Sequence, residues 1–167
     1  RDALNVDASN FGTTVHSILL EPDKFKSQIV QSEFKSTTTK GYAKEVEENK
    51  GKIVLLEDDI RKIKVLEQNV HSHPLANFLL NAEGNNESSI FVECGDTGVL
   101  LKCRPDRDCV DSIGYGVDVK TTDDLDAWRD TRKWINPLFK FDYGHQAAFY
   151  LNVLSEFYGK KVDNFAF

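Results

Sequence analysis

Residues 102–124 read KCRPDRDCVDSIGYGVDVKTTDD, and the fold turns on how the acids and the lysine of this stretch fall on strands. The run at 115–119 follows a glycine-containing loop and is expected as a strand. Side chains alternate across a strand, so Asp118 and Lys120 project from one face while Val117 and Val119 point the other way into the core. Asp106 is expected at the end of the strand before it. A carboxylate pair on neighbouring strands suits Mg²⁺, which prefers hard oxygen ligands and keeps several waters. A lysine beside the pair can orient or deprotonate a water and offset negative charge that develops at a reaction centre. The residues alone leave open an ordinary surface ion pair between Asp118 and Lys120, worth about 0–1 kcal/mol. Against it, two charges interrupt an otherwise apolar strand, which a strand usually tolerates for the sake of a site.

Outward from this stretch, apolar runs at 90–94 and 99–103 flank Gly95-Asp96-Thr97-Gly98, which has the turn chemistry of a β-hairpin. The hairpin and the 115–119 strand are expected to form the centre of one small sheet, with a further strand starting at 162–167. Helices are expected over 10–20, closed by Pro22, and over 42–49 after the polar loop 36–41. Another spans 56–70, where Ile60, Ile63, Leu66 and Val70 recur at helical spacing, and Pro74 opens a short one through Leu80. Two more are expected at 125–135 and 146–158. The pattern is α/β, a small mixed central sheet flanked by helices.

With 167 residues, 40% of them hydrophobic, the chain is read as a single domain over 1–167 with its own core. It begins at Arg1 and contains no Met, so truncation at one or both ends is expected. No run of about 18 apolar residues and no charged-then-apolar leader is present, which points to a cytoplasmic protein with no membrane partner. Cys94, Cys103 and Cys109 are odd in number and lack a C-x-x-C pair, which argues against a disulfide framework and a zinc ribbon; Cys94 and Cys103 could face each other across the hairpin as reduced thiols. The net charge of −6 does not exclude a nucleic-acid partner, because a site that collects carboxylates for cations counts as acidic until the metal is bound.

Several side chains stay ambiguous when read by themselves. His16 lies on the face of the first helix, where a lone histidine is more often structural than a ligand. Gln146 and Tyr150 are four apart, share a helix face and can reach the same neighbour. Glu87 begins the segment ESSIFVE and is either an outer-shell member of the site or an exposed strand end. Residues 128–140 combine Trp128, Arg129, Arg132, Lys133 and Trp134, a set that either meets phosphates and stacks on a strand end or packs its rings in the core.

CRPD at 103–106, DVKTT twelve residues later and then QAAFY at 146–150 together resemble the RecE-type (exonuclease VIII) branch of the PD-(D/E)xK nucleases. The segment FGTTVHSILLEPDKF at 11–25 is similar to that family's first motif, a helix bearing a histidine shortly before Leu-Glu-Pro. Four motifs stand in the family's order across nearly the whole chain. The resemblance implies a restriction-endonuclease-like core and metal ligation by Asp106, Asp118, the backbone carbonyl of Val119 and His16. It implies Lys120 as the catalytic lysine and catalytic-site roles for Gln146 and Tyr150, and Arg104 of CRPD joins Arg129, Arg132 and Lys133 as candidate DNA contacts. It further implies a Mg²⁺-dependent exodeoxyribonuclease, with Mn²⁺ able to substitute, that acts on double-stranded DNA ends in the 5′-to-3′ direction and leaves 3′ tails for recombination. A ring-shaped homo-oligomer, a single-strand annealing protein as partner, and a bacterial setting, phage or prophage encoded, follow from the same resemblance. The rivals are another PD-(D/E)xK nuclease, endonucleolytic or single-strand-specific, and a non-catalytic DNA-binding subunit on the same fold. Retention of Asp106, Asp118 and Lys120 together argues against the second.

Overall fold

Pro22 opens a second helix as well as closing the first, where the sequence alone marks only a stop. In the computed structural model, which describes residues 6–122, 126 and 141–167, α1 spans Val6–Leu20 and α2 spans Pro22–Gln28. The proline sits in the first turn of α2, where its missing N–H would have had no intrahelical acceptor. The chain divides into two compact units, Arg1–Leu80 and Asn81–Phe167.

In the first unit β1 (Ile29–Gln31) pairs in parallel with β2 (Ile53–Leu55), Ile29 opposite Ile53. Neither strand is legible beforehand, because three residues carry too little alternation to show a period. Between them lies α3 (Lys40–Glu48), which starts earlier than the pattern suggests because the Thr39 hydroxyl accepts the Tyr42 N–H at 3.1 Å and caps it. Helix α4 (Glu57–Ser72) packs on α1 and buries Ile60 and Ile63, leaving Leu66 and Val70 half-buried. The unit ends in α5 (Pro74–Asn81), with Leu79 and Leu80 buried.

The second unit departs from the expected single sheet. The hairpin forms as read, β4 (Ile90–Glu93) against β5 (Leu100–Cys103), but it is a two-stranded sheet of its own. Cys94 donates its N–H to the Val99 carbonyl at 2.9 Å while Cys103 pairs with Ile90, so the two thiols stand at opposite ends of the hairpin rather than facing each other. All three cysteines are free. A separate four-stranded mixed sheet has the order β3 (Asn85–Asn86), β6 (Arg107–Cys109), β7 (Tyr115–Val117), β8 (Asn164–Ala166). Its first two pairings are antiparallel and β7–β8 is parallel. The one-turn helix α6 (Val110–Ile113) and Gly114, in the left-handed region at φ 78°, return the chain from β6 to β7.

Helix α7 (Tyr143–Tyr158) holds these layers together by packing on β4, β5 and β8. Its Val153 and Leu154 are fully buried among Ile90, Cys103, Val110 and Val162. Truncating a leucine in such a place costs about 2–5 kcal/mol. Gly116 of β7 is required where this layer closes, since a Cβ there would stand 2.8 Å from the Phe165 ring and 3.1 Å from Leu154. The helix expected at 125–135, with Trp128, Arg129, Arg132, Lys133 and Trp134, lies outside the described residues apart from Asp126. No helix among the described residues is long and apolar enough to cross a membrane.

Candidate functional site

The antiparallel register of β6 and β7 sets Arg107 opposite Val117 and Asp108 opposite Gly116. Carried one residue further, it brings Asp106 opposite Asp118. Asp106 therefore stands immediately before β6 and not, as the sequence suggests, at the end of the hairpin strand. The fully buried Pro105 accounts for the break, because a residue without an N–H cannot continue the β5 ladder. Backbone N–H groups alternate between the two edges of a strand. Asp118 donates toward β8, to the Ala166 carbonyl at 2.9 Å, and Val119 donates toward β6, to Asp106 Oδ2 at 2.6 Å.

Asp118 and Lys120 share a face, as alternation requires, and the lysine ammonium is in ion-pair contact with Asp118 Oδ2. The pair is not on the surface: Asp118 is 5% exposed and the lysine side chain 23%. Solvent screening of such a pair is weak, and taking both charges out of water is costly. Gln146, on the first turns of α7, donates to Asp118 Oδ1 at 2.8 Å. Asp118 Oδ2 is buried and accepts no hydrogen bond among the described residues. The lysine ammonium lies 4.9 Å from the Tyr143 ring centre and 5.6 Å from that of Phe167.

Glu87 stands at the same end of the sheet. Its N–H donates to the Asp106 carbonyl at 3.0 Å, and a carboxylate oxygen of each residue lies within 4.8 Å of one of the other's. The backbone at Glu87 is left-handed, φ 51°, a conformation that costs energy in a residue with a Cβ and clusters at functional sites. Arg104 Nε approaches Glu87 Oε2 at 3.4 Å. Tyr150 donates to the Arg104 carbonyl at 3.4 Å, so Gln146 and Tyr150 share a helix face but reach different neighbours.

Two neighbours of the site are not evident from sequence. The buried Arg107 guanidinium donates to Asn86 Oδ1 at 2.5 Å and to the Ala82 carbonyl, bracing the segment that leads into Glu87. Gly84 lets that segment close on β6, since a Cβ would run into the Asp108 carbonyl and Cys109 Sγ. The buried Asp108 accepts the Val110 N–H on Oδ1 at 3.2 Å and the Tyr158 hydroxyl on Oδ2 at 2.7 Å. Burial, then the hydrogen bond to Asp108, pushes the Tyr158 hydroxyl well above its ordinary pKa. Burial, with the Asp108 charge second, pushes the Cys103 thiol up to about 11. The signal available is only that 104–108 reads RPDRD, and spacing does not say which acid faces what.

His16 is half-buried on α1, within the first unit. Arg129, Arg132 and Lys133 fall outside the described residues. Within the second unit, adjacent hard-oxygen donors on Glu87 and Asp106, and a buried oxygen of Asp118 that meets the Lys120 ammonium and accepts no hydrogen bond among the described residues, fit a divalent cation, since such ions take carboxylate oxygens.

A family model described as a PDDEXK-like domain of unknown function (DUF3799) matches residues 2–167. No curated protein matches the sequence. The mixed α/β architecture, small sheets flanked by helices, is consistent with the restriction-endonuclease-like fold that the match names.

Proposed function

We propose, from the premise that this chain belongs to the PDDEXK-like family, that it is a Mg²⁺-dependent exodeoxyribonuclease of the RecE (exonuclease VIII) type. It would degrade one strand of double-stranded DNA from the 5′ end and leave 3′ tails for homologous recombination. The nuclease class follows from the family; the narrower assignment is supported by the four motifs in order. The observation that carries hydrolysis is Asp118, a buried carboxylate held by Gln146 on one oxygen while the other, among the described residues, meets the Lys120 ammonium. Most buried side-chain polar atoms are hydrogen-bonded to neutral partners or water, so a buried carboxylate oxygen set against an ammonium stands apart.

Asp106, Asp118, the Val119 carbonyl and His16 would hold Mg²⁺, or Mn²⁺ in its place, which supplies Lewis-acid charge to the scissile phosphate. Lys120 orients the attacking water and offsets the charge that builds as the phosphodiester opens to leave a 5′-phosphate. Gln146 fixes Asp118, Tyr150 steadies the Arg104 segment, and Glu87, whose carboxylate adjoins that of Asp106, adds an oxygen donor at the edge of the site. Arg104, Arg129, Arg132 and Lys133 would meet backbone phosphates. A ring-shaped homo-oligomer, a single-strand annealing partner and a bacterial cytoplasm, phage or prophage encoded, complete the reading.

Digestion of end-labelled linear duplex and covalently closed circles, with Mg²⁺ or EDTA, tests it. Linear DNA should be consumed from its ends in Mg²⁺ while circles survive and EDTA stops the reaction. Nicking of circles that Asp118→Ala abolishes would make it an endonuclease. No hydrolysis of any DNA in Mg²⁺ or Mn²⁺ would leave a non-catalytic DNA-binding subunit.

A further inference from the structure

Two rings, Tyr143 and Phe167, lie against the Lys120 ammonium within the second unit, and Phe141, Phe165 and Tyr150 join them in one aromatic cluster. Phe141 stacks on Tyr143 with centres 5.6 Å apart, and Tyr143 meets Phe167 at 5.3 Å. Phe165 supports them from below, 5.2 Å from Phe167 and 5.6 Å from Tyr150. The inner rings are half-buried, but Phe141 is 53% and Phe167 44% exposed. Phe141 and Phe167 each pack on Tyr143 while exposing ring surface, which gives a partner apolar area to dock on.

Three features say what docks there. Tyr143 and Phe167 lie against the ammonium that, in the proposed reaction, faces a scissile phosphate, so the occupant is a group joined to a phosphate. The surface is aromatic rather than aliphatic, and flat rings favour flat π-faced partners. A base within a duplex is already stacked and paired, so only one freed from its complement can lie on such a ring. We propose that Phe141 and Phe167, braced by Tyr143, form a stacking platform for an unpaired nucleobase of the strand whose phosphate Lys120 faces. This rests on the hydrolase reading of Lys120 and deepens it: the strand to be cut is separated from its complement at the site. Every base has a π-face, so the platform reads no sequence.

Fluorescence anisotropy with a labelled single-stranded oligonucleotide and with an abasic strand of the same length tests the platform. Both are measured in Ca²⁺, with the strands verified intact afterwards. The protein should bind the normal strand at least about 10-fold more tightly, the size of one good base stack. The double variant Phe141→Leu/Phe167→Leu keeps apolar bulk and removes the π-faces, and it should lose most of that preference without changing affinity for the abasic strand. Equal affinity of the unmutated protein for the two strands, no binding of either, or a preference that survives in the folded double variant would overturn the platform. The hydrolase reading fails separately, if the protein prefers the normal strand yet cuts no DNA in Mg²⁺ or Mn²⁺.

Discussion

Helix α7 grips the four-stranded sheet at two aspartates, and the two grips differ. Near its C-terminal end, Tyr158 donates to Asp108, whose other oxygen takes the Val110 N–H, so both oxygens are satisfied by neutral donors. Near its N-terminal end, Gln146 donates to one oxygen of Asp118 and the other, among the described residues, meets an ammonium. Burial does not separate them, since Asp108 is 4% and Asp118 5% exposed. Saturation does. A carboxylate whose oxygens both accept hydrogen bonds from neutral donors is a joint between elements, whereas one with an oxygen set against a cationic side chain is the one that, in the proposed reaction, would take the metal.

The comparison is sharpened most by replacing each acid with its amide. Asp118→Asn should lower DNA hydrolysis by at least about 10²-fold, the scale of one essential group, with little change in unfolding temperature. Asp108→Asn puts an amide N–H₂ against a neutral donor and should cost about 1–3 kcal/mol in chemical denaturation, with turnover largely retained in the folded protein. Equal stability losses with normal turnover in both variants would erase the distinction. Lys120→Ala should lose about 10²–10⁴-fold in rate while still binding Mn²⁺. His16→Ala should lose at least about 10²-fold without unfolding, and near-normal turnover would make the histidine structural.

Smaller effects separate the two grips of α7. Gln146→Ala should reduce metal affinity or rate by about 10–100-fold, as loss of a group orienting a ligand does. Tyr158→Phe should cost about 0.5–1.5 kcal/mol of stability and leave kinetics alone. Smaller still is a contrast in thiol reactivity. Hydrogen bonding from the Thr97 side chain lowers the Cys94 thiol pKa, while burial raises that of Cys103 to about 11. The thiolate is the nucleophile, so near pH 8 iodoacetamide should modify Cys94 well before Cys103. Mass spectrometry showing the reverse order would mean the hairpin end at Cys103 opens readily.

How much of this was legible depends on whether the signal is local. Gly95 to Gly98 specify a hairpin turn by themselves, and the i, i+2 spacing of Asp118 and Lys120 places them together whatever surrounds them. Strand β6 is different. Its three residues Arg107, Asp108 and Cys109 are all buried, so no alternation marks it, and the sequence places Asp106 with the hairpin because the Pro105 break carries no weight before the fold is known. The Asp108 partner Tyr158 lies fifty residues away. The rings at Lys120 come from positions 143 and 167, and only folding assembles them.

The central claim is that Asp118, and not its equally buried counterpart Asp108, holds the catalytic cation. Calorimetric titration of Mn²⁺ into the unmutated protein, Asp118→Asn and Asp108→Asn, each verified folded, tests it most directly. The account predicts that Asp118→Asn loses at least about 10-fold in affinity, about 1.4 kcal/mol, while Asp108→Asn titrates like the unmutated protein. Unchanged affinity in Asp118→Asn, or an equal loss in Asp108→Asn, would contradict it.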